Sequence, residues 1–416
     1  MIPLENNNIP AGYKDSVVGI IPQEWEIATL GKLVSITSGE SPSLFNLRDI
    51  GKYPYIKVED MNNCEKYQAD SREYTDDERV VIAKGSIIFP KRGAAITNNK
   101  VRIAACQLYM DSNMMAITPN DLVCGDYLYF KITYEQLFRI ADTSTIPQIN
   151  NKHIIPYKIC LPPIEEQRKI AEILGVWDEA IEKQIRLIER LELRKRTLMQ
   201  RLLTGRTRLP GFTAPWQKVK LGEIGKITSA GVDKKINEGE VPVRLLNFVD
   251  VFYRDFIYNN ELTHWVTAKS TKVEQCSVQK GDIFFTPSSE MPTDIALSAV
   301  AMEDMEGVVY SYHIVRLRLH IEMDLYYRAY AFKTDEFYKQ AERICDGSGQ
   351  RYVISQDGFR NMSIHLPPLP EQKAIAEVLT TADNEIATHR KKLDALRLQK
   401  RGLMQQLLTG KTRVKI

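Results

Sequence analysis

LPPIEEQRKIAEILGVWDEAIEKQIRLIERLELRKRTLMQRLLTGRTR, Leu161 to Arg208, returns at Leu366 to Arg413 as LPPLPEQKAIAEVLTTADNEIATHRKKLDALRLQKRGLMQQLLTGKTR. The two stretches align without a gap at an offset of 205, and 24 of the 48 positions are identical. A match of this kind at a fixed period marks an internal duplication. Each copy opens on Leu-Pro-Pro, which stops a strand and leads into a helix. Each closes at Thr204-Gly205 or Thr409-Gly410, a usual helix exit. About 40 residues lie between, or ~60 Å of helix at ~1.5 Å per residue.

The first copy carries a seam of Ile170, Leu174, Trp177, Ile181, Gln184, Ile188, Leu191, Lys195, Leu198 and Leu202. The second has Ile375, Leu379, Ala382, Ile386, His389, Leu393, Leu396, Lys400, Leu403 and Leu407 at equivalent places. Steps of four and three alternate, which is the coiled-coil pattern. An isolated helix of this length would leave its apolar seam in water, so each copy needs a partner, and the nearest is the other copy. Charge chooses the direction. The first helix is acidic early (Glu165, Glu166, Glu172, Asp178, Glu179, Glu182) and basic late (Arg190, Arg194, Lys195, Arg196, Arg201). The second is also basic late, with Arg397, Lys400 and Arg401. An antiparallel pair sets acidic start beside basic end, with Gln184 and His389 near its middle; a parallel pair stacks basic on basic. The competing expectation is two separate core helices, although such helices seldom exceed ~20 residues.

The duplication extends outward. WEIATLGKLVSITSG from Trp25 and WQKVKLGEIGKITSAG from Trp216 share Trp, Leu-Gly and Ile-Thr-Ser at the same offsets. Each reads as a short strand, a turn and a second strand. Lys84 to Phe89 matches Lys280 to Phe285, a turn feeding a buried strand, but the residues after that strand differ: Pro90-Lys91-Arg92-Gly93 against Thr286-Pro287-Ser288-Ser289-Glu290. A kept strand with changed flanking loops suits a scaffold with variable reading loops. Further strands are expected at Met114–Ile117 and His313–Leu317. Aromatic-rich helices are expected at Tyr127–Ile140 and Leu325–Ile344, with a polar turn before each long helix at Ser144–Asn151 and Gly347–Ser355. The fold class is therefore mixed α/β (α+β): two related domains separated by a long antiparallel two-helix coiled coil. The expected boundaries are a lead-in over 1–24, a domain over 25–160, a helix over 161–205, a second domain over 206–365, and a second helix with its tail over 366–416.

A chain of 416 residues with 44% hydrophobic and 26% charged residues is an ordinary globular composition. Its apolar runs are too short to span a bilayer, and MIPLENNNIP lacks the layout of a signal peptide. Six scattered cysteines (64, 106, 124, 160, 276, 345) without CxxC pairing suit a reducing cytoplasm. The net charge of +3 requires any DNA surface to be a local basic face. No catalytic constellation emerges. The six histidines form no HxH or HxxxH, so no metal is expected. Gly410-Lys411-Thr412 resembles the end of a phosphate loop, but Gln405 stands where that loop needs glycine and the segment closes a helix instead of opening one. There is no dinucleotide or S-adenosylmethionine turn, no Asn-Pro-Pro-aromatic tetrapeptide and no GxSxG elbow. No cofactor is expected. What remains is loops bearing Arg, Lys, Asn, Gln and Ser, side chains suited to phosphates and base edges.

At this point the chain resembles the specificity subunit of type I restriction-modification systems. The residues carrying the resemblance are Leu-Pro-Pro-x-x-Glu-Gln with Ile-Ala-x-x-Leu (161–174, 366–379) and the closing Leu-Met-Gln-x-Leu-Leu-Thr-Gly. Ile21-Pro22-Gln23-Glu24-Trp25, Ser41-Pro42-Ser43 after Gly39, and Ser144-Thr145-Ile146-Pro147 add to it. The second half departs from the pattern: Gly349-Gln350-Arg351-Tyr352 replaces the Ser-Thr-Ile-Pro turn, and no Ser-Pro-Ser follows Gly231. The resemblance implies a non-catalytic subunit whose two target recognition domains each read one half of a bipartite, asymmetric double-stranded DNA site. It implies a coiled coil that sets the spacing and docks two methyltransferase subunits, with restriction subunits joining through them. Candidate DNA contacts are Ser38, Ser41, Lys57, Lys91, Arg92, Asn98, Asn99, Lys100, Gln148 and Asn151 in the first domain. In the second they are Ser229, Lys234, Lys235, Arg244, Asn247, Ser288, Thr293, Gln350 and Arg351. A ruler of this kind would widen the gap between half-sites if four residues were inserted after Thr204. Two rival readings stand beside this one. A coiled-coil scaffold binding only proteins would show no sequence-selective, salt-dependent DNA binding. The recognition part of a single-chain restriction enzyme would need methyltransferase motifs on this chain.

Overall fold

The computed structural model describes residues 9–79, 81–348 and 351–416. The chain divides into two compact units, Met1–Arg186 with Lys391–Ile416, and Leu187–Arg390. Both divisions fall inside the long helices, Ile164–Leu203 and Leu369–Leu408, each of 40 residues. No helix among the described residues is long and apolar enough to cross a membrane.

The two units repeat one topology. In the first, a five-stranded sheet runs Val34–Ser38, Met114–Pro119, Ile87–Pro90, Arg102–Ala104, Tyr67–Gln68; only the last pairing is parallel. In the second, the order is Gly225–Thr228, Val315–Leu319, Ile283–Phe285, Ser298–Ala301, Phe256–Ile257, again with only the last pairing parallel. The central strands are apolar on both faces because each face meets a different core. Ile87 and Phe89 enter one cluster and Ile88 the other; likewise Ile283 and Phe285 part from Phe284. That is the two-residue period of a strand feeding two cores. A second, smaller sheet backs each unit, built on Tyr53–Ile56 and on Val241–Leu246. The strands after Trp25 and Trp216 pair antiparallel with those ahead of each Leu-Pro-Pro, Glu26–Thr29 with Lys158–Leu161 and Gln217–Lys220 with Ser363–Leu366. A single helical turn, Leu30–Leu33 or Leu221–Ile224, then leads into the central sheet.

Three expectations are corrected. The aromatic-rich helices are each two helices: Gly125–Glu135 and Leu137–Ile140 break at Gln136 (φ 67°), and Leu325–Ala331 and Asp335–Ile344 break before Thr334, whose hydroxyl caps the second. The polar stretches do not run directly into the long helices. A helical turn (Asn151–Ile154) and a strand come after the first; the second forms a hairpin of Asp346–Ser348 with Arg351–Val353, followed by helix Gln356–Asn361 and a strand. The short runs Lys158–Leu161 and Ser363–Leu366 find partners about 130 to 150 residues earlier, a pairing no local pattern announces. Finally, the expected strand from His313 begins at Val315, because the residues before it close a turn.

In each unit the long helices run antiparallel. In the first, Lys400 pairs with Asp178, and Arg413 grips Glu166 at 2.7 and 2.9 Å. In the second, Lys195 pairs with Asp383 at 2.5 Å, and Arg208 grips Glu371 at 2.5 and 2.7 Å. Acidic start therefore meets basic end in both. Along the seam Ile170, Leu174, Ile181, Gln184, Ile188, Leu191 and Leu202 are buried, as are Ile375, Leu379, Ile386, Leu393 and Leu407. Trp177, Lys195, Leu198, Ala382, His389, Leu396, Lys400 and Leu403 are half-buried. The helix ends belong to the domain cores: Ile170, Leu174, Leu407 and Leu408 lie in one, Leu202, Leu203, Ile375 and Leu379 in the other.

The Glu-Gln of the repeated motif explains this knitting. Glu166 and Glu371 are almost wholly buried, and each accepts from a tryptophan: Trp25 Nε1 at 3.0 Å, Trp216 Nε1 at 2.9 Å. Gln167 donates to Pro162 O at 2.9 Å and accepts from Cys124 N at 2.8 Å. Gln372 donates to Pro367 O at 2.8 Å and accepts from Asp324 N at 3.0 Å. These buried carboxylates and amides thus have the partners that burial demands.

Candidate nucleic-acid interface

At the C-terminal end of the central strand, five segments converge in each unit. In the first, Ser38 ends its strand opposite Met115, which also faces Phe89, so the loops after residues 38 and 90 emerge together. Asp111 N donates to Ile56 O at 2.9 Å, which brings in Lys57. Lys91 N donates to Asn113 O at 2.8 Å, and Ile149 N to Lys91 O at 2.9 Å, so the turn before Met114 and the Gln148 segment flank Lys91-Arg92. Arg92 and Gln148 form a backbone bridge. Ser41 lies close by, its Oγ 2.9 Å from Ser43 Oγ.

Ser38, Ser41, Lys57, Lys91, Arg92 and Gln148 are thus gathered at one end of the sheet. Arg92 is exposed. Burial, and then the neighbouring Arg92, hold the Lys91 ammonium below its ordinary value against the opposing pull of Asp111. Lys57 is paired with Glu73. The remaining candidates sit elsewhere. Asn99 (φ 49°) bridges the helix break, donating to Thr133 O at 2.8 Å and accepting from Leu137 N at 2.9 Å. Asn98 caps the turn Ala94–Thr97, Lys100 donates to Asn62 Oδ1 at 2.6 Å, and Asn151 opens the helical turn Asn151–Ile154.

The second unit repeats the convergence. Ser229 follows strand Gly225–Thr228 and accepts from Gln356. Ser288 pairs with Val353 across a short ladder, and Arg351 donates to its Oγ at 3.1 Å. Val232 bridges Ser311, which places Lys234 and Lys235 beside the turn; Lys235 pairs with Asp233 at 2.8 Å. Asn247 occupies the place of Lys57, but it is buried and caps helix Phe248–Phe252. Arg244 donates inward to Asn259 O at 2.8 Å. Thr293 is exposed in the turn Pro292–Asp294. Gln350 lies outside the described residues. No group of three or more His, Cys, Asp or Glu among the described residues could hold a metal ion.

Two tight turns, Asp111–Asn113 and Ser311–His313, stand at the centre of these clusters and were not among the sequence candidates. Their only local signal was the leading Asp or Ser, whose side chain can accept from the backbone N–H two residues on and close a turn.

The family model for the type I restriction modification DNA specificity domain matches the chain twice, over residues 22–192 and 214–398. The chain belongs to this specificity family. It is 25% identical to the type I restriction enzyme MjaVIII specificity subunit of Methanocaldococcus jannaschii, covering 95% of this chain and 94% of that one. It is 26% identical to the EcoR124I/EcoR124II specificity subunit of Escherichia coli over 40% of this chain and 44% of the relative. Among solved structures, the fold matches a chain from a study of complex assembly and conformational transition of the type I R-M system. That match has a TM-score of 0.62 at 17% identity and covers 94% of this chain and 99% of that one. The type I S subunit from M. genitalium also matches, with a TM-score of 0.52 at 15% identity, covering 98% of each chain. Specificity-family membership accounts for the duplicated frame, and each matched segment contains one convergence of loops and one part of the helix pair.

Proposed function

We propose that this chain is the sequence-reading subunit of a type I restriction-modification complex. Residues 25–160 and 206–365 act as target recognition domains, each reading one half of a bipartite, asymmetric site on double-stranded DNA. The helices of 161–205 and 366–416 set the spacing and dock two methyltransferase subunits, through which restriction subunits join. The chain supplies choice of site and its partners supply chemistry, in the cytoplasm where host DNA lies. The observation that carries this reading is one sheet end, built twice on one frame, with cations and amides that differ between the copies. Identical readers would give a symmetric site; diverged readers give an asymmetric one.

The test is binding by the complex assembled with its methyltransferase partner, across salt concentrations. Sequence-selective affinity should fall with a log–log slope of about −0.9 per phosphate contacted. A scaffold for proteins alone would show neither selectivity nor that slope. Within this reading, Arg92→Ala is expected to weaken binding to the first half-site by about 1–3 kcal/mol if Arg92 reads a base. A uniform loss across all sequences, with a salt slope smaller by about one, would make it a phosphate contact. Titrating duplexes that vary only in the first half separates the two.

A further inference from the structure

The turns Asp111–Asn113 and Ser311–His313 have the same frame. Asp111 Oδ1 accepts from Asn113 N at 2.7 Å, and Ser311 Oγ accepts from His313 N at 3.2 Å. Met114 N closes the first turn on Asp111 O at 2.9 Å, and Ile314 N closes the second on Ser311 O at 3.2 Å. Each first residue is tied to the smaller sheet, Asp111 N to Ile56 O and Ser311 N to Leu246 O, both at 2.9 Å. From below, a glycine presses against each turn. A Cβ on Gly39 would lie 2.0 Å from Asp111 O, and one on Gly231 would lie 2.3 Å from Ser311 C. No other residue fits there. The backbone of both turns is therefore held from several sides, which is the support a precise contact requires.

The tips differ completely. One carries Ser112 and Asn113, the other Tyr312 and His313. Tyr312 is 47% exposed, with its ring centroid 3.9 Å from that of His313. Burial first, then Lys234 and Arg351, hold the His313 imidazole below its ordinary value, against the opposing pull of Asp233. The neutral imidazole offers one donor and one acceptor, and the amide of Asn113 likewise offers both kinds of group. Either set matches the donor–acceptor pattern of a base edge, while the lysines and arginines around it suit phosphates.

We infer that residues 112–113 and 312–313 are specificity-determining positions, one pair for each half-site, and that the tip of each turn reads bases. This rests on the DNA-reading function proposed above. The test exchanges the tips in the full chain, co-produced with the methyltransferase subunit of its host: Tyr312→Ser with His313→Asn, and separately Ser112→Tyr with Asn113→His. Methylated adenines are mapped and duplex affinities measured. The first exchange should weaken binding to the original second half-site about 10- to 100-fold and leave the first half and the gap unchanged. The reverse exchange should act on the first half alone. Recognition of the untouched half and an unchanged melting temperature report an intact fold. If one exchange lowers the melting temperature, the other decides. Wild-type sites methylated with wild-type affinity by an intact variant would overturn the inference. Failure of the underlying reading looks different, since the unsubstituted complex would then show no preference among sequences.

Discussion

Glu371→Ala is expected to destabilise the unit containing it by about 3–5 kcal/mol, the range for removing one partner of a buried ion pair. Glu371 is 1% exposed and accepts from Arg208 Nε at 2.5 Å, Arg208 Nη2 at 2.7 Å and Trp216 Nε1 at 2.9 Å. Truncation leaves a guanidinium and an indole N–H without their acceptor, and the cost lies in those orphaned donors more than in the lost attraction. The tail that follows the first long helix is anchored by Arg208, which also reaches Ala214 O at 2.9 Å and lies over the Trp216 ring. The substitution should therefore free this return of the chain as well as weaken the core. Denaturant unfolding followed by tryptophan fluorescence measures it, with Glu371→Gln as the volume-matched comparison losing less. A change below about 1 kcal/mol would reduce the contact to an ordinary surface pair. Glu166→Ala should act in the same sense in the other unit, where Trp25 and Arg413 share the carboxylate and Arg413 also reaches Glu24.

The long helices were legible because alternating steps of four and three over 40 residues are a local signal repeated many times. Their direction was legible from the placement of charge. The role of the motif glutamates was not, because their tryptophan partners lie 141 and 155 residues away. The loops were legible only as types. Asn99 and Asn247 have the side chain of a base reader, yet one bridges a helix break and the other caps a helix. Residue identity alone does not separate an amide that closes a turn from one that faces outward. His313 was hidden for the opposite reason, since it reads as the first residue of the strand expected to run to Leu317, and Tyr312 stands outside any local pattern.

Lengthening the helix pair in its middle by one heptad in each helix, near residues 184 and 389, is expected to abolish recognition of the original site by more than about 100-fold. In its place the chain should prefer the same two half-sites with a wider gap. Seven residues keep the seam in phase and add ~10 Å, equivalent to about three base pairs at ~3.4 Å each. On the original site only one half would then find its reader, and each mismatched base pair costs about 1–3 kcal/mol. Insertion after Thr204, expected from the sequence to widen the gap, is the second arm of this test: Leu202 and Leu203 are already part of the second core, and Arg208 is fastened to Glu371, so residues added there enter between the helix and its anchored tail instead of within the seam. One helix lengthened alone is expected to fail, because both ends of both helices are built into cores and the shorter partner would hold the original length. Methylation mapping of the double-insertion chain decides the matter: an unchanged gap with full activity would mean that something other than these helices measures the distance. About three base pairs also turn the groove by roughly 100°, given 10–10.5 base pairs per turn. Even the wider site should therefore bind less tightly than the original, and the best new gap should be the one at which added length and added twist are reconciled by DNA deformation.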